Sequence, residues 1–297
     1  MRKIIVVTGA SNGIGRATCK ELALAGHTVY ASMRETKGRN AHCVEEIEAF
    51  AREHGIDLRS MELDVSFQDS VNAAIDAIVS ENGRLDVVVH NAGQIVYGPA
   101  EAFTPEQLAQ IYDTNVLSTQ RVNRAALPQL RKQGRGLLVW ISSSSARGGT
   151  SPYLGPYSSS KAGLDALALS YAGELARWGI ETTIVVPGAL GPNHYIRSGR
   201  PGDTIRAEEY ADGPTADISE TALRGLAALS ALDPDAQGIA SAIAKLIDTP
   251  FGTRPLRIHF DPDHDGAATV CGVADRARAE LLRRIGLEDI LKPAIIE

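Results

Sequence analysis

Cysteine is scarce in this chain of 297 residues: Cys19, Cys43 and Cys271 are an odd number without paired spacing. That excludes a disulfide framework and a thiolate zinc site, and no other metal site is expected. Reduced thiols point to a cytoplasmic protein. Long apolar runs are missing too. Nowhere do about 18 apolar residues follow one another, so no spanning helix is expected. The stretch Ile4 to Val7 behind Met1-Arg2-Lys3 is too short for a signal peptide. No long basic run accompanies the formal charge of -6, which argues against a surface that tracks nucleic-acid phosphates. Small molecules remain as the expected ligands.

What is present suits a large globular core, with 44% hydrophobic and 22% charged residues. A chain of this length can form one continuous α/β domain. Short β-branched runs predict strands over about 4–8, 28–32, 59–63, 87–90, 137–141 and 182–186, with a last strand at 256–260 closing the sheet edge. Between them, apolar spacing of three and four predicts helices over about 14–25, 41–54, 68–81, 105–131 and 157–178. Continuous apolar strands alternating with helices imply a parallel sheet of about seven strands covered on both faces, the doubly wound arrangement. Glycines and prolines among polar residues from 188 to 215, followed by helical stretches at about 216–232 and 235–247, predict a lid over about 189–232. Residues 1–261 then form the catalytic domain. The segment 262–297, with a helix at about 273–286, is expected as an extension packed on it.

Thr8-Gly9-Ala10-Ser11-Asn12-Gly13-Ile14-Gly15 follows the first strand and opens a helix, the setting in which a glycine pattern binds a dinucleotide. Gly9 permits the turn, Gly13 lets the backbone approach a pyrophosphate, and Gly15 allows close packing of helix on strand. The free N–H groups and positive dipole end of the helix attract the anion. The spacing G-x-x-x-G-x-G resembles that of the short-chain dehydrogenases/reductases, whose fold is Rossmann-like. Further stations agree in order: Asp64-Val65 after the third strand, Asn91-Ala92-Gly93 after the fourth, Asn115 in the central helix, Ser142-Ser143 after the fifth, Tyr157-x-x-x-Lys161, and Pro187-Gly188 after the sixth. His90 stands where the family often has Asn, and Pro192 where it often has Thr.

An acid at the end of the second strand would bind the ribose hydroxyls of NAD and repel a 2′-phosphate. Here the strand ends Ala31-Ser32-Met33-Arg34. Arg34 can meet the phosphate with its planar guanidinium, with Ser32 adding a hydrogen bond, so NADP(H) is the expected cofactor. The resemblance places Ser11, Asn12, Ile14, Asp64, Val65, Asn91, Ala92, Gly93, Pro187 and Gly188 around it.

Tyr157 and Lys161 are one helical turn apart and share a face. A phenol has a pKa near 10, and an ammonium beside it favours its anion, allowing proton exchange near neutrality. The resemblance implies that Tyr157 protonates the carbonyl oxygen and that Lys161 lowers its pKa and holds the nicotinamide ribose. It further implies that Ser143 hydrogen-bonds the same oxygen and that Asn115 seats a water in a proton relay. Strand alignment selects Ser143, whereas counting back from Tyr157 selects Ser144. Gln94, Ile95, Ser145, Arg147, Tyr153, His194 and the segment 189–232 are candidates for the pocket, with Arg147 suited to a carboxylate or phosphate if it points inward.

Asp261-Pro262-Asp263-His264-Asp265-Gly266 imitates the start of a calcium loop, but Gly272 occupies the twelfth position where a bidentate Glu is needed. The expected activity is an NADP(H)-dependent carbonyl reductase or alcohol dehydrogenase. Alternatives on the same fold are an epimerase or dehydratase without net cofactor turnover and a non-catalytic NADP(H)-binding redox sensor. The family resemblance also implies a homodimer or homotetramer paired through the two long central helices.

Overall fold

The computed structural model describes residues 1–188, 198–230, 236–260 and 266–294. Seven parallel strands run in the order β3-β2-β1-β4-β5-β6-β7: β1 Ile4–Val7, β2 Thr28–Met33, β3 Leu58–Glu62, β4 Val87–His90, β5 Gly136–Ile141, β6 Ile180–Pro187 and β7 Arg257–Phe260. The order reverses between β1 and β4, whose register pairs Val6 with Val88. Doubly wound sheets bind their ligands at the carboxyl ends of the strands beside this switch.

Side chains alternate across the pleat, so each strand feeds two cores. On one face Val6, Val88, Leu138, Trp140 and Ile184 pack with residues of α3 Gln68–Asn82, α5 Ser118–Gln133 and α6 Gly155–Ala176. On the other, Ile5, Val7, Val89, Val139 and Val185 meet residues of α1 Gly13–Leu24, α2 Ala41–His54 and α9 Ala236–Asp248. Each such aliphatic side chain contributes about 1.5–3 kcal/mol by leaving water. Both ends of the central strands are therefore held fixed where the loops begin.

Three expectations need correction. The helix expected over 105–131 is broken: α4 Pro105–Tyr112 passes into a π-helical turn, Asp113–Leu117, before α5. A widened turn keeps the apolar spacing on both sides, which is why periodicity reads through it. The polar stretch before residue 215 contains a helix, α7 Thr204–Asp212, started by Asp203, whose carboxylate accepts the Arg206 N–H at 3.0 Å. The final helix, α10 Ala267–Arg284, begins earlier than the expected 273. After it the chain lies along α6, with Ala294 N donating to Ala176 O at 2.7 Å. Between α7 and α9 runs α8 Ala216–Ser230. His194, Pro192 and residues 261–265 of the calcium-like turn lie outside the described residues.

Candidate active site

The glycine loop joins β1 to α1. Gly9 has φ +68°, and a Cβ there would come within 2.7 Å of the Ala92 Cα; at Gly15 it would collide with the Asn91 amide and lie 2.6 Å from Gly9 O. Only glycine fits either place. Gly13 has open space before it. Neighbouring side chains fasten the loop from behind. Asn91 donates to Thr8 O at 2.8 Å and to Gly9 O at 3.0 Å, and Thr8 Oγ1 accepts from Asn91 N and Ala92 N at 3.0 Å each. Arg16, passed over in the sequence although it directly follows Gly15, grips Ser11 O through Nε at 2.9 Å. The first turn of α1 carries no acid, and Asn12 at its N-cap makes no side-chain cap, so the N–H groups of Gly13, Ile14 and Gly15 face outward without a competing anion. This cradle fits a dinucleotide pyrophosphate.

Ser32 is not at the expected corner. It is fully buried, and its hydroxyl donates inward to Val7 O at 3.0 Å, because the pleat turns that position into the sheet. Its carbonyl holds Ala10 N at 2.9 Å, so it supports the loop. Arg34 is half exposed, and its nearest acid, Glu35, is 3.9 Å away. Glu62, at the end of β3, is committed to the following turn through Glu35 N and Thr36 N, each at 2.8 Å. Asp64 accepts Ser66 N at 2.9 Å, and Val65 O accepts from Arg121 at 3.2 Å. Gly188 N is tied to Phe260 O at 2.8 Å behind Pro187.

At the other side of the switch, α6 carries Tyr157 and Lys161. Lys161 is only 6% exposed; its Nζ donates to Ile141 O at 2.8 Å and lies 6.0 Å from the centroid of the Tyr157 ring. Burial lowers its pKa to about 8. Of three ammonium protons one goes to Ile141, which leaves donors for a ribose. Burial pushes the Tyr157 phenol above its usual range, and the hydrogen bond from Ser143 opposes this without overcoming it. With its pKa raised, the Tyr157 phenol is a protonated acid near neutrality.

The structure brings Ser143 to Tyr157. Ser143 Oγ accepts Ser145 N at 3.2 Å, Ser144 opens the 3-10 turn Ser144–Ala146, and both serines are buried. Asn115 is fully buried in the π-helical turn. Its Oδ1 accepts Gln94 N at 2.8 Å, and its Nδ2 donates to Gln94 O at 3.0 Å and Ser160 Oγ at 2.9 Å. A Cβ on Gly93 would stand 3.2 Å from Asn115 Oδ1 and 3.6 Å from Lys161 Nζ, so these groups are close neighbours. Ile95, Tyr97, Tyr153, Leu154, Leu223 and Leu226 form an apolar cluster with Tyr157, the two leucines coming from α8. Arg147 does not offer a free cation to that cluster, since its Nε is 2.7 Å from Asp165. His90 is buried, its Nε2 donates to Asn123 Oδ1 at 2.8 Å, and burial lowers its pKa to about 4, so it is neutral.

Among the described residues there is no cluster of His, Cys, Asp or Glu suited to a metal ion, and no helix is long and apolar enough to cross a membrane. The sequence model of the short chain dehydrogenase family matches residues 3–198. A 3-ketodihydrosphingosine reductase of Bacteroides thetaiotaomicron is 32% identical over 210 residues, covering 71% of this chain and 72% of that protein. The crystal structure of a short-chain dehydrogenase from Streptomyces avermitilis superposes with a TM-score of 0.72 at 27% identity, over 96% of this chain and 97% of that one. An alcohol dehydrogenase from Thermococcus sibiricus, complexed with 5-hydroxy-NADP, gives 0.67 at 25% identity over 88% and 96%. The chain belongs to the short-chain dehydrogenase family, and is an oxidoreductase of carbonyl and alcohol groups.

Proposed function

We propose that this protein reduces ketones flanked by apolar chains with NADPH, and that Tyr157 supplies the proton. The observation that carries the reading is Tyr157, one turn before buried Lys161, set into an apolar cluster that α8 helps to close. NADPH, when bound, supplies the hydride. The chain's own residues do the rest. Gly9, Ser11, Asn12, Gly13, Ile14 and Gly15 hold the pyrophosphate, Arg34 meets the 2′-phosphate, and Lys161 holds the nicotinamide ribose. Asp64, Val65, Asn91, Ala92, Gly93, Pro187 and Gly188 wall the dinucleotide. Ser143 and Tyr157 donate hydrogen bonds to the substrate oxygen, and Tyr157 releases its proton as that oxygen becomes an alcohol. Asn115 holds the Gln94 backbone and the Ser160 hydroxyl so that Lys161 can receive the replacement proton.

Arg34 supports the choice of NADP(H). Its pair with Glu35 is long and solvent-exposed, worth little, and yields to a phosphate. The relative complexed with an NADP derivative supports the same choice. The apolar wall supports a carbon chain beside the carbonyl, and the Bacteroides relative is named for a ketone of that kind. Half-exposed Leu117 and Trp178, at the ends of α5 and α6, support pairing of two copies through these helices. Absorbance of NADPH followed against aliphatic ketones, β-keto thioesters and aldehydes tests the proposal. Steady consumption that Tyr157→Phe abolishes is the expected result. Turnover that persists in Tyr157→Phe, or an unaltered enzyme that prefers NADH, would refute it.

A further inference from the structure

A buried cluster of charge lies just behind the serine turn. Asp165, 1% exposed, sits one helical turn beyond Lys161 and two beyond Tyr157, on the same side of α6. Its Oδ1 accepts Arg257 Nη1 at 2.6 Å and Ser142 Oγ at 3.2 Å; its Oδ2 accepts Arg147 Nε at 2.7 Å and Arg257 Nη2 at 3.2 Å. Arg257, on β7, is itself buried and forks onto Asp275 of α10, Nε to Oδ2 at 3.0 Å and Nη2 to Oδ1 at 3.3 Å. Two cations and two anions balance. Burial alone would raise the Asp165 carboxyl, but the hydrogen bonds and charges of Arg257 and Arg147 hold it below its usual range.

The placement of the two lighter contacts is informative. Ser142 and Arg147 bracket the turn that begins at Ser143, and a single carboxylate holds both ends of it. Within the turn Arg147 N and Gly148 N reach Ser144 O at 3.3 and 2.8 Å, so the segment moves as one piece. The tail touches it directly: a Cβ on Gly148 would lie 3.1 Å from the Ala267 Cβ, at the start of α10. A network meant only for stability would be served as well by apolar side chains of equal volume. This one instead joins three distant segments to the turn that bears Ser143.

We propose that Asp165, with Arg147, Arg257 and Asp275, is a positioning clamp through which the C-terminal helix fixes Ser143 against Tyr157. The inference rests on the reading of Ser143 and Tyr157 as the proton-donating pair. The clamp touches neither substrate nor cofactor. Its loss frees the turn to drift, and a displacement of about 1 Å at a reacting group costs up to about a hundredfold in rate.

Arg147→Met is the informative variant, because Asp165 keeps its buried partner Arg257 and the fold is retained. On whichever ketone the panel selects, kcat should fall about tenfold to a hundredfold, with KM for NADPH and its fluorescence-measured binding unchanged. Amides of residues 143–148 should exchange faster with deuterium. Ser142→Ala should move the same quantities less, and Arg147→Lys should recover part of kcat. Unchanged kcat in both Arg147→Met and Ser142→Ala would overturn the clamp, even if the melting temperature fell. The underlying reading is judged separately: if Tyr157→Phe stays active, the proton donor is misassigned, and the exchange rates of residues 143–148 alone decide whether the clamp holds the turn.

Discussion

The two sides of the sheet's switch point use their marked residues in opposite ways. On the β1–β2 side, side chains serve backbone: Asn91 and Arg16 hold carbonyls of the glycine loop, Ser32 holds Val7 O at the end of β1, and Thr8 holds the N–H groups of Asn91 and Ala92. On the β5–β6 side, backbone features serve to aim side chains: the π-helical turn delivers Asn115 to Gln94 and Ser160, and Ile141 O holds Lys161. The contrast follows from what each side presents. An anion is met by main-chain N–H groups, which rigid support makes effective. A carbonyl needs a proton and a hydroxyl, which only side chains supply.

Substitutions that break one side and spare the other sharpen this comparison. The largest effect on rate is expected from Tyr157→Phe, which should lower kcat by about a hundredfold to ten-thousandfold while NADPH binding persists; stopped-flow turnover and equilibrium binding measure the two separately. Gly15→Ala should do the reverse. It forces the loop away from Asn91 and Gly9 O, destabilises the fold by about 1–3 kcal/mol, and weakens NADPH binding, as calorimetry and chemical denaturation would show.

Lys161 offers a test through pH. Its pKa is about 8 in the fold against 10.5 for the free group, so between those values the unfolded chain binds the extra proton and stability rises with pH. Wild type should therefore gain up to about 3 kcal/mol relative to Lys161→Met from pH 8 to 10.5. Equal slopes in the two melting series would contradict burial of the ammonium. A shift of the same size and opposite pH range belongs to His90. Its pKa of about 4, below the free value of 6.5, means that stability is lost as pH falls through that interval, and His90→Asn should flatten the acid limb of the melting curve.

Much of the fold was legible because each apolar run is covered on two faces and each glycine in the first loop has a distinct steric duty. Tyr157 and Lys161 were legible in company with the other stations, though their separation by 6.0 Å from ring centroid to Nζ was not. What escaped depends on direction or on long-range pairing. The pleat, not the identity of Ser32, turned its hydroxyl inward. Motif spacing left Ser143 and Ser144 open, because both hydroxyls lie buried in the same turn. Sequence leaves open whether Arg147 points into the pocket; its Nε instead meets Asp165, and Arg257 meets that same carboxylate from 92 positions away. No local pattern marks such a pairing.

Hydride destination tests the central claim most directly. NADPH deuterated at the transferable position, incubated with a ketone from the panel, should leave deuterium on the carbinol carbon of the product, one atom for each NADPH consumed, at a rate that Tyr157→Phe lowers by about a hundredfold or more. Product free of deuterium, or substrate converted while the NADPH remains unconsumed, would contradict carbonyl reduction at this site.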